Sequence, residues 1–327
     1  MDLHPSLTWR PLETSDADDL QRLFNAVEEA DAQPFRMSLD EVVEDLGETW
    51  RDLAHESIVG IDEDGVARAW MLLTAPPEDA TERRVYLDGG VDPELRGRGI
   101  GRTVASWGID RAHELLARRG SGDGVPWRVG VVVGTESTGT THLYERLGFG
   151  ALRHYANLRR DLDAPLVDAP AADGIVLSQW GPQDEEEVRL AHNAAFADHW
   201  GSQPSSPERW LTGRSTFAAG WSLVARDTAR EGSPVVGYLR SDRFPDDWPA
   251  QGFTSGYVHL LGVVREGRGR GIASLLLTRA LELFREDGME AGTLGVDTAN
   301  PTGAYRLYER LGFRVYHSEV LLGVSGT

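Results

Sequence analysis

The chain has 327 residues, enough for about two domains, with no cysteine and a formal charge of −19. Without cysteine there are no disulfides, thiolate metal sites or thiol nucleophiles; lysine is missing as well, so all 33 basic residues are arginine, which excludes a protein Schiff base and a P-loop lysine. The negative charge argues against nucleic acid, whose phosphates need a basic face, and suits either a cationic acceptor such as an amine or simple solubility.

The chain opens with "MDLHPSLTWR", which lacks the basic-then-apolar layout of a signal peptide. No apolar run is long enough for a bilayer. A cytoplasmic protein without a membrane partner is expected. The stretch "LTWRPLETSDADDLQRLFNAVEEA" reads as a short strand, an acidic turn and an amphipathic helix, and "IVLSQWGPQDEEEVRLAHNAAFAD" repeats that order in the second half, with Leu23 and Leu190 at matching places. Arg-Gly-Arg-Gly-Ile occurs at Arg96–Ile100 and again at Arg268–Ile272. "LYERLGF" follows each copy, at Leu143–Phe149 and Leu307–Phe313. A repeat this long is a duplicated domain rather than a solenoid. The Ala, Pro and Asp-rich segment Asp161–Gly174 suits a linker, so the domains are expected at 1–162 and 174–327.

In the second half the expected order is a strand at Ile175–Gln179, a helix over 184–197, strands at 221–226, 235–240 and 256–264, and a helix over 271–287. A strand at "TLGVDT", a helix at "GAYRLYERLG" ended by Gly312, and a closing strand complete it. Such an order fits an α/β (α+β) fold: a mixed, mostly antiparallel sheet flanked by helices in each domain.

Glycine-rich turns between a strand and a helix suit phosphate, because backbone N–H groups come close and the helix N-terminus adds partial positive charge. A dinucleotide fingerprint needs a third glycine where Ile272 and Arg102 stand, so it fails in both copies. The spacing that fits is Arg-x-x-Gly-x-Gly/Ala: Arg96, Gly99, Gly101 and Arg268, Gly271, Ala273.

With "GVDPELRGRGIG", "GVVREGRGRGIA" and "LGVDTANPTGAYRLYERLGF", this pattern resembles the acetyl-CoA pyrophosphate loop and second signature of the GCN5-related N-acetyltransferases (GNAT) in both halves. The arrangement is similar to the tandem, mycothiol synthase-like members of that family. The resemblance implies two tandem GNAT domains, each with a splayed sheet that takes the pantetheine arm of acetyl-CoA. It implies pyrophosphate contacts from Arg268, Gly269, Arg270, Gly271, Ile272 and Ala273, arm contacts from the backbone of Leu261 and Val263, and a further contact from Asn300. The first half offers Val91, Arg96, Gly97, Arg98, Gly99, Ile100 and Gly101. No metal is implied, and "HNAAFADH" has no ligand spacing.

Strand alternation puts Tyr257, His259, Leu261 and Val263 on one face. In the family, bases often sit at the places of His259 and Tyr257, and imidazole has the intrinsic pKa to take a proton near neutrality. Packing in a half-buried strand is the other use of such a histidine. Counting back from the first loop gives Leu87 and Val85, neither of them a base. Asp88 is close but of opposite parity unless a bulge re-aims it. Tyr308 and Tyr144 match the tyrosine that protonates the leaving thiolate in many relatives; each also suits packing. Glu136 stands where Asn300 would fall. The C-terminal domain is therefore expected to catalyse and the N-terminal one to be degenerate, binding acetyl-CoA without turnover or supporting the fold.

The segment after the second half's first helix should border the acceptor, where Asp198, His199 and Trp200 suit an ammonium or, equally, a helix cap and a core plug. His192 and His317 are expected to be surface or structural residues. The function expected is acetyl transfer from acetyl-CoA to a small-molecule primary amine. The alternatives are a non-catalytic acyl-CoA-binding regulator and a protein-modifying acetyltransferase. A monomer with an internal pseudo-dimer, or a homodimer, is expected.

Overall fold

The computed structural model describes residues 3–77, 81–120, 124–167, 169, 172–299 and 303–327. In chain order the first half forms β1 (Thr8–Arg10), α1 (Ala17–Ala30), α2 (Leu39–Leu46), α3 (Leu53–Glu56), β2 (Ser57–Ile61) and β3 (Ala67–Thr74). It continues with β4 (Arg83–Val91), α4 (Ile100–Arg118), β5 (Trp127–Gly134), α5 (Thr138–Arg146) and β6 (Gly150–Asp161). The second half forms β7 (Ile175–Gln179), α6 (Glu185–Ala195), α7 (Pro207–Trp210), β8 (Leu223–Asp227), β9 (Val235–Asp242) and α8 (Trp248–Gln251). Then follow β10 (Ser255–Val263), α9 (Ile272–Glu286), β11 (Ala291–Asp297), α10 (Ala304–Arg310) and β12 (Arg314–Gly326).

Two compact units result, Met1–His154 with Glu319–Thr327, and Tyr155–Ser318. In the first unit the strands order as β1-β2-β3-β4-β5, and the Glu319–Gly326 end of β12 lies antiparallel along β5. In the second the order from the far edge is β7-β8-β9-β10-β11, and Tyr155–Asp161 of β6 lies antiparallel along β11. The repeats read from the sequence and the compact units therefore differ by one strand each way. In both units one pairing among the described residues is parallel, β4 with β5 and β10 with β11.

In the first unit β3 is buried on both faces, which is why "AWMLL" is an unbroken apolar run. Trp70 and Leu72 pack under α1 and α2 with Leu20, Leu23, Val27, Val42 and Leu46. Met71 and Leu73 pack on the other face with Val104 and Ala105 of α4. Leu20, Leu23 and Val27 recur at helical spacing, so α1 buries a single stripe. The second unit repeats this design, with Val188 and Ala191 of α6 on one side and Leu276, Leu277, Ala280, Leu281 and Phe284 of α9 on the other. Each fully buried Val, Leu, Met or Phe among them contributes about 1.5–3 kcal/mol. Leu23 is buried but Leu190 is 53% exposed, so the match expected between them does not form. Counted from the first residues of the two helices, Ala17 and Glu185, Leu20 corresponds to buried Val188 and Leu23 to buried Ala191, one position from Leu190.

Candidate active site

In each unit the parallel pair parts after a few residues. β10 and β11 are paired from Ser255 with Ala291 to Val258 with Leu294, and β4 and β5 from Arg83 with Trp127 to Tyr86 with Gly130. β10 stays paired with β9 as far as Val263, and β4 with β3 as far as Val91. Past the parting, the backbone of Leu261 and Val263 on one side, and of Val91 on the other, is not taken up by the parallel neighbour. An extended ligand with amide groups can pair there.

The strands lead into the glycine loops. Gly97 and Gly99 have φ of +77° and +90°, Gly269 and Gly271 of +77° and +78°, so side chains there would be strained. A Cβ on any of the four would find nothing within 4 Å; the backbone is open to an approaching ligand. Gly99 and Gly271 cap α4 and α9, and no side chain caps either helix. Their first-turn N–H groups, at Ile100 and Gly101 and at Ile272 and Ala273, are thus left for an outside acceptor. This donor set suits the pyrophosphate of a coenzyme A thioester. A Cβ on Gly101 would make only ordinary contacts, 3.7 Å to Val91 and 3.8 Å to Leu143, which is why Ala273 can stand at the same place.

The loop arginines are held differently. Arg96 is clasped by the Asp31 carboxylate at 2.5 and 3.2 Å, whereas Arg268 donates to the Ala195 carbonyl at 2.9 Å. Arg270 is paired with Asp227 at 2.6 Å, whereas Arg98 donates to the Glu94 carbonyl at 3.3 Å. Each loop thus keeps one arginine without a carboxylate partner among the described residues: Arg268 in the second unit and Arg98 in the first.

β10 departs from plain alternation at His259. Tyr257 stands opposite Asp242 and Val258 opposite Ser241, but the next pair is Leu260 with Arg240, so His259 is the extra residue of a β-bulge. Tyr257, Leu260 and Gly262 share one face; Val258, Leu261 and Val263 share the other. The single face expected for 257, 259, 261 and 263 is not formed. β4 has no such shift against β3. Counted along the sheet, Tyr257 corresponds to Tyr86, Val258 to Leu87 and Leu260 to Asp88, while His259 has no counterpart.

The bulge turns His259 toward Asp242. His259 Nδ1 donates to Asp242 Oδ2 at 2.6 Å, with the imidazole 42% exposed and the carboxylate fully buried. Arg240 Nε donates to the other carboxylate oxygen at 3.0 Å. Burial alone would raise the Asp242 carboxyl. The hydrogen bond from His259 and the charges of His259 and Arg240 outweigh it, holding the carboxyl below its ordinary value. A permanent carboxylate on Nδ1 fixes the tautomer and leaves the Nε2 lone pair free to take a proton. Tyr257 stands edge-on to His259, ring centroids 6.1 Å apart. A Cβ on Gly295 would lie 3.1 Å from the Tyr257 hydroxyl, so this ring leans toward β11 just past the last parallel pair.

Tyr308 is 8% exposed, and its ring meets Phe313 at 5.9 Å. Burial pushes its phenol up to about 12, so it carries its proton at neutral pH. Tyr144 repeats the arrangement against Phe149 at 5.3 Å, raised by burial first and then by the charge of Asp88. Asn300 lies outside the described residues. Asp198, His199 and Trp200 form the turn after α6. His199 Nδ1 meets the Trp200 carbonyl at 3.1 Å and its ring lies 5.5 Å from Phe196. Trp200 is 39% exposed and plugs no core. His192 is the structural histidine expected. Its ring stacks on Phe196 at 4.8 Å, it accepts from the Tyr238 hydroxyl at 2.6 Å, and burial pushes it down to about 4.

Asp242 and Arg240 were not singled out in the sequence. Their signal is two charges at alternate positions of "VVGYLRSD", a strand otherwise apolar enough to be buried throughout.

The sequence profile described as the Acetyltransferase (GNAT) family matches the chain twice, over residues 20–149 and 186–313. A mycothiol acetyltransferase of Mycobacteroides abscessus is 32% identical over 286 residues, which is 84% of this chain and 86% of the relative. Among solved structures, a GCN5-related N-acetyltransferase from Sphaerobacter thermophilus has a TM-score of 0.74 at 28% identity, covering 98% of this chain and 96% of that one. A tandem GNAT protein from the clavulanic acid biosynthesis pathway shares the fold, with a TM-score of 0.69 at 18% identity over 98% of this chain and 99% of that one. With a splayed sheet, a glycine loop and a buried tyrosine in each half, the chain belongs to the GNAT acetyltransferase family as a tandem member, and is an acyltransferase.

Proposed function

We propose that the C-terminal half, 174–327, moves an acetyl group from acetyl-CoA directly to a primary amine of a small molecule. The observation that carries this reading is His259, placed by a bulge where β10 and β11 part and held from behind by a buried carboxylate. Acetyl-CoA would supply a thioester-activated acetyl group. Arg268 to Ala273 and the open N-terminus of α9 would hold its pyrophosphate, the β10 backbone at Leu261 and Val263 its amide-bearing arm, with Asn300 a further contact. His259 takes the ammonium proton at Nε2, because only a neutral amine attacks, and Asp242 stabilises the imidazolium that forms. Tyr308 holds its proton and offers it to the departing sulfur. An acceptor carrying positive charge fits the −19 formal charge, and Asp198, His199, Trp200 and Tyr257 are the residues that would meet it. The relatives named for mycothiol acetylation support a small acceptor.

The test is thiol release from acetyl-CoA against polyamines, amino sugars, aminoglycosides, amino acids and a cysteinyl amino-sugar conjugate. With the amine that reacts, Arg268→Glu should lower turnover by about 10²-fold or more, while Arg96→Glu retains it. Turnover that survives Arg268→Glu and is lost with Arg96→Glu moves catalysis to the other half. No release with any amine, alongside acetyl-CoA binding, removes the amine reading.

A further inference from the structure

Arg240 is 8% exposed, and its guanidinium meets two different parts of the second unit. Nε donates to Asp242 Oδ1 at 3.0 Å and Nη2 to Asp242 Oδ2 at 3.2 Å. The same Nη2 donates to the Gly213 carbonyl at 2.6 Å. One side chain thus joins the carboxylate behind His259 to the segment that follows α7.

That segment is seated by further contacts. Glu185, at the head of α6, accepts from Trp180 Nε1 at 3.1 Å, from Trp210 Nε1 at 2.9 Å and from Arg214 at 3.1 and 2.8 Å. Trp180 and Trp210 stack with centroids 6.0 Å apart, and the Arg214 guanidinium lies 4.7 Å over the Phe217 ring. Phe217 forms a β-bridge with Asp242 itself. The Ala218 amide donates to the Ser241 carbonyl and the Arg243 amide to the Thr216 carbonyl, each at 2.9 Å. By register, Leu72 and Thr74 of the first unit stand at the places of Arg240 and Asp242, so the sheet does not itself require the charge pair. Taking two charges out of water is costly, and the pair belongs with the histidine beside it.

Resting on the reading of the C-terminal half as the catalytic one, we propose that Arg240 is a positioning residue for the base: it shares the Asp242 carboxylate with His259 and ties that carboxylate to the acceptor-side segment at Gly213. With Arg240 in place, the charge of Asp242 is answered from two sides. His259 is not forced to carry a second proton to answer it alone. Without Arg240 the imidazolium becomes the countercharge, Nε2 keeps its proton, and the acceptor ammonium cannot hand one over near neutrality. The tie to Gly213 aligns the acceptor side and the base on one planar fork, which a point charge cannot imitate.

The groups that face His259 support this division of work. β9 brings Asp242 and Arg240, and β10 brings Tyr257. α6 packs on both strands; its His192 is bonded to the Tyr238 hydroxyl and its Glu185 is engaged as above. β11 carries no titratable side chain before Asp297. Arg243 lies over the rings of Trp221 and Trp248.

The experiment follows the His259 imidazole by NMR titration in the full chain, assigned against His259→Gln, in Arg240→Gln and Arg240→Lys. In Arg240→Gln the midpoint should rise by about one pH unit, and with a reactive amine the rise of kcat/KM with pH should move by the same amount. Arg240→Lys keeps the charge and loses the fork. Its midpoint should stay with the parent's, while KM for the amine rises about fivefold and the Ala218 and Arg243 amides exchange faster. Arg240→Leu, the side chain that the first unit carries at this place, replaces Arg240→Gln if that variant does not fold. A midpoint unmoved by loss of the charge, in protein that melts as the parent does, overturns the proposal, and so does Arg240→Lys with the parent's KM and exchange. The titration needs no substrate: if no amine reacts, the reading of the site fails while the midpoint still decides the role of Arg240.

Discussion

His259 depends on a residue that never meets solvent. Asp242 accepts from His259 and from Arg240 at once, and its charge keeps the proton on Nδ1. Asp242→Asn retains the shape but turns an amide N–H toward the ring, which favours the wrong tautomer and removes the Nε2 lone pair. kcat/KM should fall by about 10²-fold. His259→Ala should fall by 10²–10³ and lose the rise of kcat/KM with pH. The loss of one charged hydrogen bond to Arg240 should cost about 1–3 kcal/mol of stability. A rate and pH profile unchanged in Asp242→Asn, in protein that still folds, would show that Asp242 does not position the base. His259 was legible in the sequence because a histidine in an apolar strand ahead of a phosphate loop is conspicuous. The bulge was not, because one inserted residue leaves no mark on a strand that is apolar on both sides of it. That single residue misaligned the halves, set His259 against Leu87 and hid the equivalence of Asp88 with Leu260.

At the scale of the element, the glycine loop was read from spacing alone, and the backbone supplies the reason for each glycine. Gly271 has positive φ and open space around it, whereas Gly101 lies inside the helix with ordinary room for a methyl group. Gly101→Ala should therefore be neutral or raise stability by up to about 1 kcal/mol through helix propensity. Gly271→Ala should cost about 1–3 kcal/mol in strain and weaken acetyl-CoA binding where the methyl meets the phosphate. Melting curves and a direct acetyl-CoA titration separate the two. Equal effects from both substitutions would mean that the positive-φ glycine is not what shapes the loop. The first helices show what periodicity leaves open: Leu23 and Leu190 look alike in the sequence, yet the stripe of α6 is set by Val188 and Ala191 because Leu190 falls on its outer face.

For the whole molecule, the duplication was plain in the sequence and the exchange of strands was not, since Gly150–Asp161 and Arg314–Gly326 are each one uninterrupted strand. The units share a fold but differ in their buried ionisable groups, so pH should move them in opposite directions. Glu28 and Asp88 bind protons more tightly folded than unfolded, up to about 8 and about 7. Their contribution is complete below the unfolded carboxyl range and is lost as pH rises through those values. His192, pushed down to about 4, binds its proton more tightly unfolded. Its contribution is complete above about 6.5 and is lost as pH falls toward 4. Carboxyls held low by ion pairs, such as Asp227, titrate below this interval and stay silent. Between pH 5 and 7.5 the opening free energy from hydrogen exchange, corrected for intrinsic rates, should fall for β3 and β4 and rise for β9 and β10. Each change should be on the order of 1–2 kcal/mol after solvent screening. Glu28→Gln should flatten the first trend and leave the second, and His192→Gln the reverse. If both units gained stability together as pH rose, Glu28 and Asp88 would be ordinary solvated carboxylates.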